Sequence, residues 1–76
     1  MREIEISEEP IDLYKILKLE NWVASGGEAK QFIAEGRVKV NGKTETQKRK
    51  KIYAGDVVEM ETYKVRIKVK GESVKP

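Results

Sequence analysis

The chain has 76 residues, no cysteine, no histidine and a net charge of +3 with 38% charged residues. That length supports one domain, and a domain so small buries only about 60% of its unfolded surface, so its few apolar residues must serve one economical core. The composition excludes a disulfide framework and leaves no histidine or cysteine for metal ligation or nucleophilic catalysis; no cofactor and no metal is expected, and the protein is read as not an enzyme.

No run approaches the roughly 20 apolar residues of a membrane span. The opening Met1-Arg2-Glu3-Ile4-Glu5 lacks the apolar stretch of a secretory signal, which with the absent cysteines predicts a cytoplasmic protein without membrane contact. The charge is distributed unevenly. Residues 1–20 hold six acids against three bases, residues 21–51 hold eight bases against three acids, and the remainder is nearly balanced. A local cationic excess on a modest total suits a patch for a polyanion; a solvated lysine–glutamate surface is the plainer alternative.

In chain order, Arg2 to Ile6 alternates charged and apolar residues and predicts a short strand at a sheet edge. Ser7-Glu8-Glu9-Pro10 reads as a helix start, with proline and acids in the first turn, leading into a helix over about 10–19 with Leu13, Ile16 and Leu17 on one face. Asn21 to Ala24 connects. Trp22 could stack on a base, but at a joint between helices it reads more readily as a partly buried packing residue.

Ser25-Gly26-Gly27-Glu28 has the form of a capping box. Ala29, Phe32, Ile33 and Gly36 follow at helical spacing, predicting a helix over about 26–35 that Gly36 ends in the left-handed conformation. If the Phe32 ring is core, Phe32→Ala should cost about 3–5 kcal/mol. Arg37-Val38-Lys39-Val40 alternates, Asn41-Gly42 predicts a type I′ hairpin, and Lys43 to Thr46 returns. Gln47 to Lys51 is a basic loop or irregular strand, Ala54-Gly55-Asp56 a turn, and Val57 to Glu61 a strand. Tyr63 to Lys70 alternates over eight residues and carries Lys64, Arg66, Lys68 and Lys70 as a basic stripe on one face, which could be functional but reads more readily as lysines guarding an exposed sheet edge. Residues 71–76 read as a frayed tail. The elements predict an α+β fold, two helices on a small, mostly antiparallel sheet, in one domain spanning 1–76.

The candidate site lies between Ser25 and Lys51. Amide groups at Gly26 and Gly27 can receive a phosphate at a helix start, although a plain helix cap is an equally good reading. Lys30 lies one turn on. Arg37 and Lys39, Lys43 beyond the Asn41-Gly42 turn, and Lys48, Arg49, Lys50 and Lys51 can line the same side if the loop folds back. Singly, each is as well explained as a wet strand face or a solvated loop; together they point to RNA.

Leu13 to Leu17, then Ala24 through Gly36-Arg37-Val38-Lys39-Val40-Asn41-Gly42-Lys43, then Ile52 through Gly55-Asp56-Val57-Val58, resemble the S-four-type RNA-binding domain, the αL motif of the fourth protein of the small ribosomal subunit. The likeness covers about residues 12–60 and is nearest the small stand-alone bacterial members. It implies two helices and a hairpin presenting one basic surface, with Ser25, Lys30, Arg37, Lys39, Asn41 and Lys43 at the matching RNA-facing positions. Two positions depart from the pattern: Ser25-Gly26 stands where the family often has Ser-Arg, and Asp12-Leu13-Tyr14 where it often has Arg-Leu-Asp. Lys48 to Lys51 are the candidates to compensate. The functional expectation is a non-catalytic, monomeric protein that binds structured RNA, ribosomal RNA or a ribosomal particle. The alternative is a protein-interaction module using the acidic first helix (Glu8, Glu9, Asp12) and the edge strand with Glu5.

Overall fold

Alternation of apolar with charged residues produces the strands at Val38–Val40 and Tyr63–Val69. The computed structural model describes residues 2–70. Its elements are β1 (Arg2–Ile6), β2 (Ile11–Asp12), α1 (Leu13–Leu19), α2 (Gly26–Ala34), β3 (Val38–Val40), β4 (Lys43–Thr44), β5 (Lys51–Ile52), β6 (Val57–Met60) and β7 (Tyr63–Val69). A five-stranded sheet runs in the order β1-β7-β6-β3-β4, and β2 pairs with β5 in a separate antiparallel ribbon. All pairings in the larger sheet are antiparallel except β1 with β7, which is parallel. The predicted tail at 71–76 lies outside the described residues.

Val38, Val40, Val58, Met60, Val65 and Ile67 point to one face of the sheet, where they meet Leu13, Ile16 and Leu17 of α1 and Ala29 and Ile33 of α2. Those residues form one core. None of the described residues buries a polar or charged side chain fully. No helix of the described chain is long and apolar enough to cross a membrane.

The second helix follows its sequence signals. The Ser25 hydroxyl accepts the Glu28 amide at 3.2 Å, while Glu28 reaches one residue further back than a standard capping box and accepts the Ala24 amide at 2.6 Å. At the other end Gly36 has φ +76°, the Gly36 amide donates to Ile33 and the Arg37 amide to Phe32, a complete Schellman motif. Asn41 and Gly42 both have positive φ, 54° and 86°, and join β3 to β4 with Val40 opposite Lys43, as a type I′ turn requires.

Four expectations need correction. The first helix starts at Leu13 rather than at residue 10, because Ile11 and Asp12 are drawn into the ribbon opposite Ile52 and Lys51. Glu9 does not serve the helix; its carboxylate accepts the Ala54 amide at 2.7 Å. The basic stripe on β7 does not guard an edge, since β7 lies between β1 and β6. Its cations stand opposite acids instead, Arg66 beside Glu3, Lys68 beside Glu5 and Lys64 beside Glu59. Finally, Phe32 is only partly buried against the core, whose fully enclosed α2 positions are Ala29 and Ile33.

Candidate nucleic-acid interface

The first two amides of a helix have no partner inside it. In α1 the cap residue Asp12 supplies none from its side chain. The basic loop supplies them: the Leu13 amide donates to the Lys50 carbonyl at 2.9 Å and the Tyr14 amide to the Lys48 carbonyl at 3.1 Å. The loop is therefore folded back onto the start of α1 by its own backbone, which leaves the side chains of Lys48, Arg49 and Lys50 exposed.

Tyr14 is the meeting point. The Lys30 ammonium, from α2, lies 4.7 Å from the centre of the Tyr14 ring, and the Arg49 guanidinium, from the loop, lies 5.8 Å from it. A Cβ added at Gly26 would stand 3.8 Å from the same ring, so the glycine-led start of α2 also borders it. Three segments distant in sequence thus place two cations and a helix N-terminus around one aromatic ring. Such contacts hold a cation over the ring's negative face without neutralising its charge.

Beneath this group, Asp12 accepts a hydrogen bond from the Lys51 ammonium at 2.6 Å. That bond is the main reason its carboxyl is held below the usual range. Desolvation opposes the shift, and the charges of Lys51, Lys15 and Arg49 add to it. Lys51 is consequently an anchor between β5 and β2 more than an open cation.

The other candidates divide. Arg37 stacks on Phe32, with its guanidinium carbon 4.0 Å from the ring centre, and forms ion pairs with Glu61 and, at 3.7 Å, with Glu35. The hydrogen bond to Glu61, above all, raises its pKa further above the usual arginine value. Asn41 is committed to the fold: its amide nitrogen donates to Asp56 at 3.1 Å, its carbonyl oxygen accepts the Val57 amide at 2.9 Å, and its backbone amide donates to Val57 at 2.8 Å. Ser25 is the α2 cap, with Gly27 in the first exposed turn beside it. Lys39 points to the sheet face away from the helices, opposite Glu59 and Thr44. Lys43 is exposed on the edge strand β4, on the side of Val40. The structure therefore brings Gly26, Lys30 and Arg49 together, places Lys48 and Lys50 beside Arg49 in the loop, and sets Lys39 apart. Tyr14, which the sequence analysis gave no part in the site, is the organising residue that sequence reasoning missed; its place at the N-terminal end of α1, one residue after a leucine of the core face, was the available signal.

Residues 4–68 match the model of the S4 domain. The chain is 49% identical over 57 residues to the "Putative RNA-binding protein YbcJ" of Escherichia coli K12, a stretch covering 75% of this chain and 81% of that protein. It is 43% identical over 60 residues to the "Probable ribosome maturation protein RlbA" of Bacillus subtilis 168, covering 79% and 84%. The solution structure of E. coli YbcJ, described as an αL motif involved in RNA binding, superposes with a TM-score of 0.69 at 43% identity over 90% of this chain and 87% of that one. The 30S ribosomal protein S4e of Thermoplasma acidophilum superposes with a TM-score of 0.61 at 30% identity, over 79% of this chain and 32% of its own. Two helices on a mostly antiparallel sheet, a glycine-led α2 and the Asn41-Gly42 hairpin thus carry more than a resemblance: the chain belongs to the S4-domain family and has the αL fold.

Proposed function

We propose that the protein binds structured RNA, ribosomal RNA or a ribosomal precursor, without catalysis, through the face formed by Tyr14, the α2 start at Ser25 to Gly27, Lys30, Lys43 and the loop Lys48 to Lys50. The observation that carries the reading is the convergence of Lys30 and Arg49 on Tyr14 beside Gly26. Phosphates supply most of the affinity and the spacing of cations selects a shape, the usual mode for a folded RNA whose deep groove side chains cannot read. The names of the two relatives and the ribosomal neighbour agree with it. Asn41 and Lys51 contribute to this face by bracing the hairpin and the ribbon, Arg37 is held by Phe32 and Glu61, and Lys39 lies outside it.

Binding of a base-paired ribosomal RNA fragment, followed by filter retention across a salt series, tests the reading. The double substitution Lys30→Glu, Arg49→Glu should weaken binding and reduce the steepness of log affinity against log salt by about two units, one for each lost phosphate contact. Unchanged affinity and slope in a folded double variant reject it.

The protein-partner alternative loses support, because Asp12 and Glu9 are engaged by Lys51 and the Ala54 amide, and Glu5 stands opposite Lys68. Partners that survive nuclease treatment in a pull-down would restore it.

A further inference from the structure

A second aromatic feature lies at the other end of α1, where the polar face around Tyr14 does not reach. Helix α1 closes through Asn21 in the left-handed conformation, with the Asn21 amide donating to Lys18 and the Trp22 amide to Leu17. This turn delivers Trp22, the single tryptophan of the chain, against Tyr63 at the start of β7. The rings are stacked, with centroids 5.3 Å apart and planes inclined by 19°. Trp22 is partly buried against the core, whereas Tyr63 remains 49% exposed although the indole covers part of it.

The pair borders an open cleft of about 350 Å³, also lined by Arg2, Asn21, Thr62 and Lys64. The floor is neutralised: Glu20, almost buried, receives Arg2 Nε at 2.8 Å, while the Arg2 side chain stays largely exposed. The cleft therefore offers an aromatic surface, an amide and a hydroxyl for hydrogen bonding, with two basic side chains along it, Arg2 paired with Glu20 and Lys64 opposite Glu59. That is the chemistry that receives a nucleotide by its base, with two π faces and polar edges.

We infer that the Trp22–Tyr63 pair and its cleft form a subsite for one unpaired nucleotide, held by the base extending the stack. The inference rests on the RNA reading and deepens it, by adding a single-stranded flank to the folded element held at Tyr14. Only an unpaired base fits, since a base within a duplex has both faces covered by its neighbours. Nearly half of Tyr63 is open to solvent, so the stack has room to extend.

The lone tryptophan makes the site its own reporter. Short single-stranded oligoadenylate, titrated into the full chain, should quench Trp22 emission, whereas inorganic polyphosphate should not. Tyr63→Leu keeps an apolar side chain against the indole but removes the π face; with folding checked by thermal melting, it should weaken oligoadenylate binding at least about fivefold, the lower end of base–aromatic stacking. Tyr63→Phe should bind as the parent does. Absence of oligoadenylate binding, an unchanged emission at saturation, equal quenching by polyphosphate, or parental affinity in Tyr63→Leu each overturns the inference. None of these touches the binding of a fully base-paired fragment at Lys30 and Arg49, so the two readings fail separately.

Discussion

Arg37 and Asn41 show how a residue's chemistry and its duty can part. Both are polar, exposed by pattern and set in the most RNA-like stretch of the sequence, yet each is bound to the fold by a partner far along the chain, Glu61 for Arg37 and Asp56 for Asn41. Replacing Asn41 with alanine should therefore lower stability by about 2–3 kcal/mol, through the lost bonds to Asp56 and the Val57 amide and the strain of alanine at φ 54°, while changing RNA affinity little. Urea unfolding alongside RNA titration separates the two effects; a large affinity loss at unchanged stability contradicts the assignment. The same scale distinguishes neighbours in α2. Ile33 is fully buried and Phe32 is not, so Ile33→Ala should cost about 2–5 kcal/mol and Phe32→Ala less than the figure for an enclosed ring. Denaturation midpoints that rank the two variants the other way round contradict this.

At the scale of elements, the short ribbon of β2 and β5 does what the missing side-chain cap of α1 does not. It holds the basic loop so that the Lys48 and Lys50 carbonyls meet the first amides of α1, and the Asp12–Lys51 contact clips it. The Asp12 carboxyl is held below its usual value in the folded state. Its contribution to stability is accordingly present above the unfolded carboxyl value near pH 4 and fades as pH falls through the lower folded value. Asp12→Asn should flatten the fall in stability on the acid side and leave the neutral-to-basic side unchanged in shape, as read from thermal midpoints across pH. An identical acid limb in parent and variant would show that the clip has no titrating role. The capping signals at Ser25, Gly36 and Asn41-Gly42 were legible because each involves bonds across five residues or fewer. The start of α1 was not, because its partners lie more than thirty residues downstream.

For the whole molecule, the distribution of charge matters more than its total. The open sheet face sets Lys39, Lys64, Arg66 and Lys68 against Glu59, Glu3 and Glu5 across neighbouring strands, an arrangement that favours strand pairing and dilutes any attraction for phosphate. The helix side keeps Lys30 and Arg49 over a tyrosine. If about five phosphates are neutralised there, log affinity for a structured RNA should fall with log salt at a slope of roughly −3.5 to −4.5. A slope near zero would remove phosphate contacts as the source of affinity.

The sequence by itself determined the α+β class, the second helix with both its ends, the hairpin and the family, because alternation, capping and turn chemistry act between near neighbours and follow from residue type alone. Which cations stay open was decided only by the tertiary structure. An ion pair or a ring contact depends on what the fold brings alongside, and Glu61, Asp12 and Tyr14 come from parts of the chain that no local pattern links to the bases they hold.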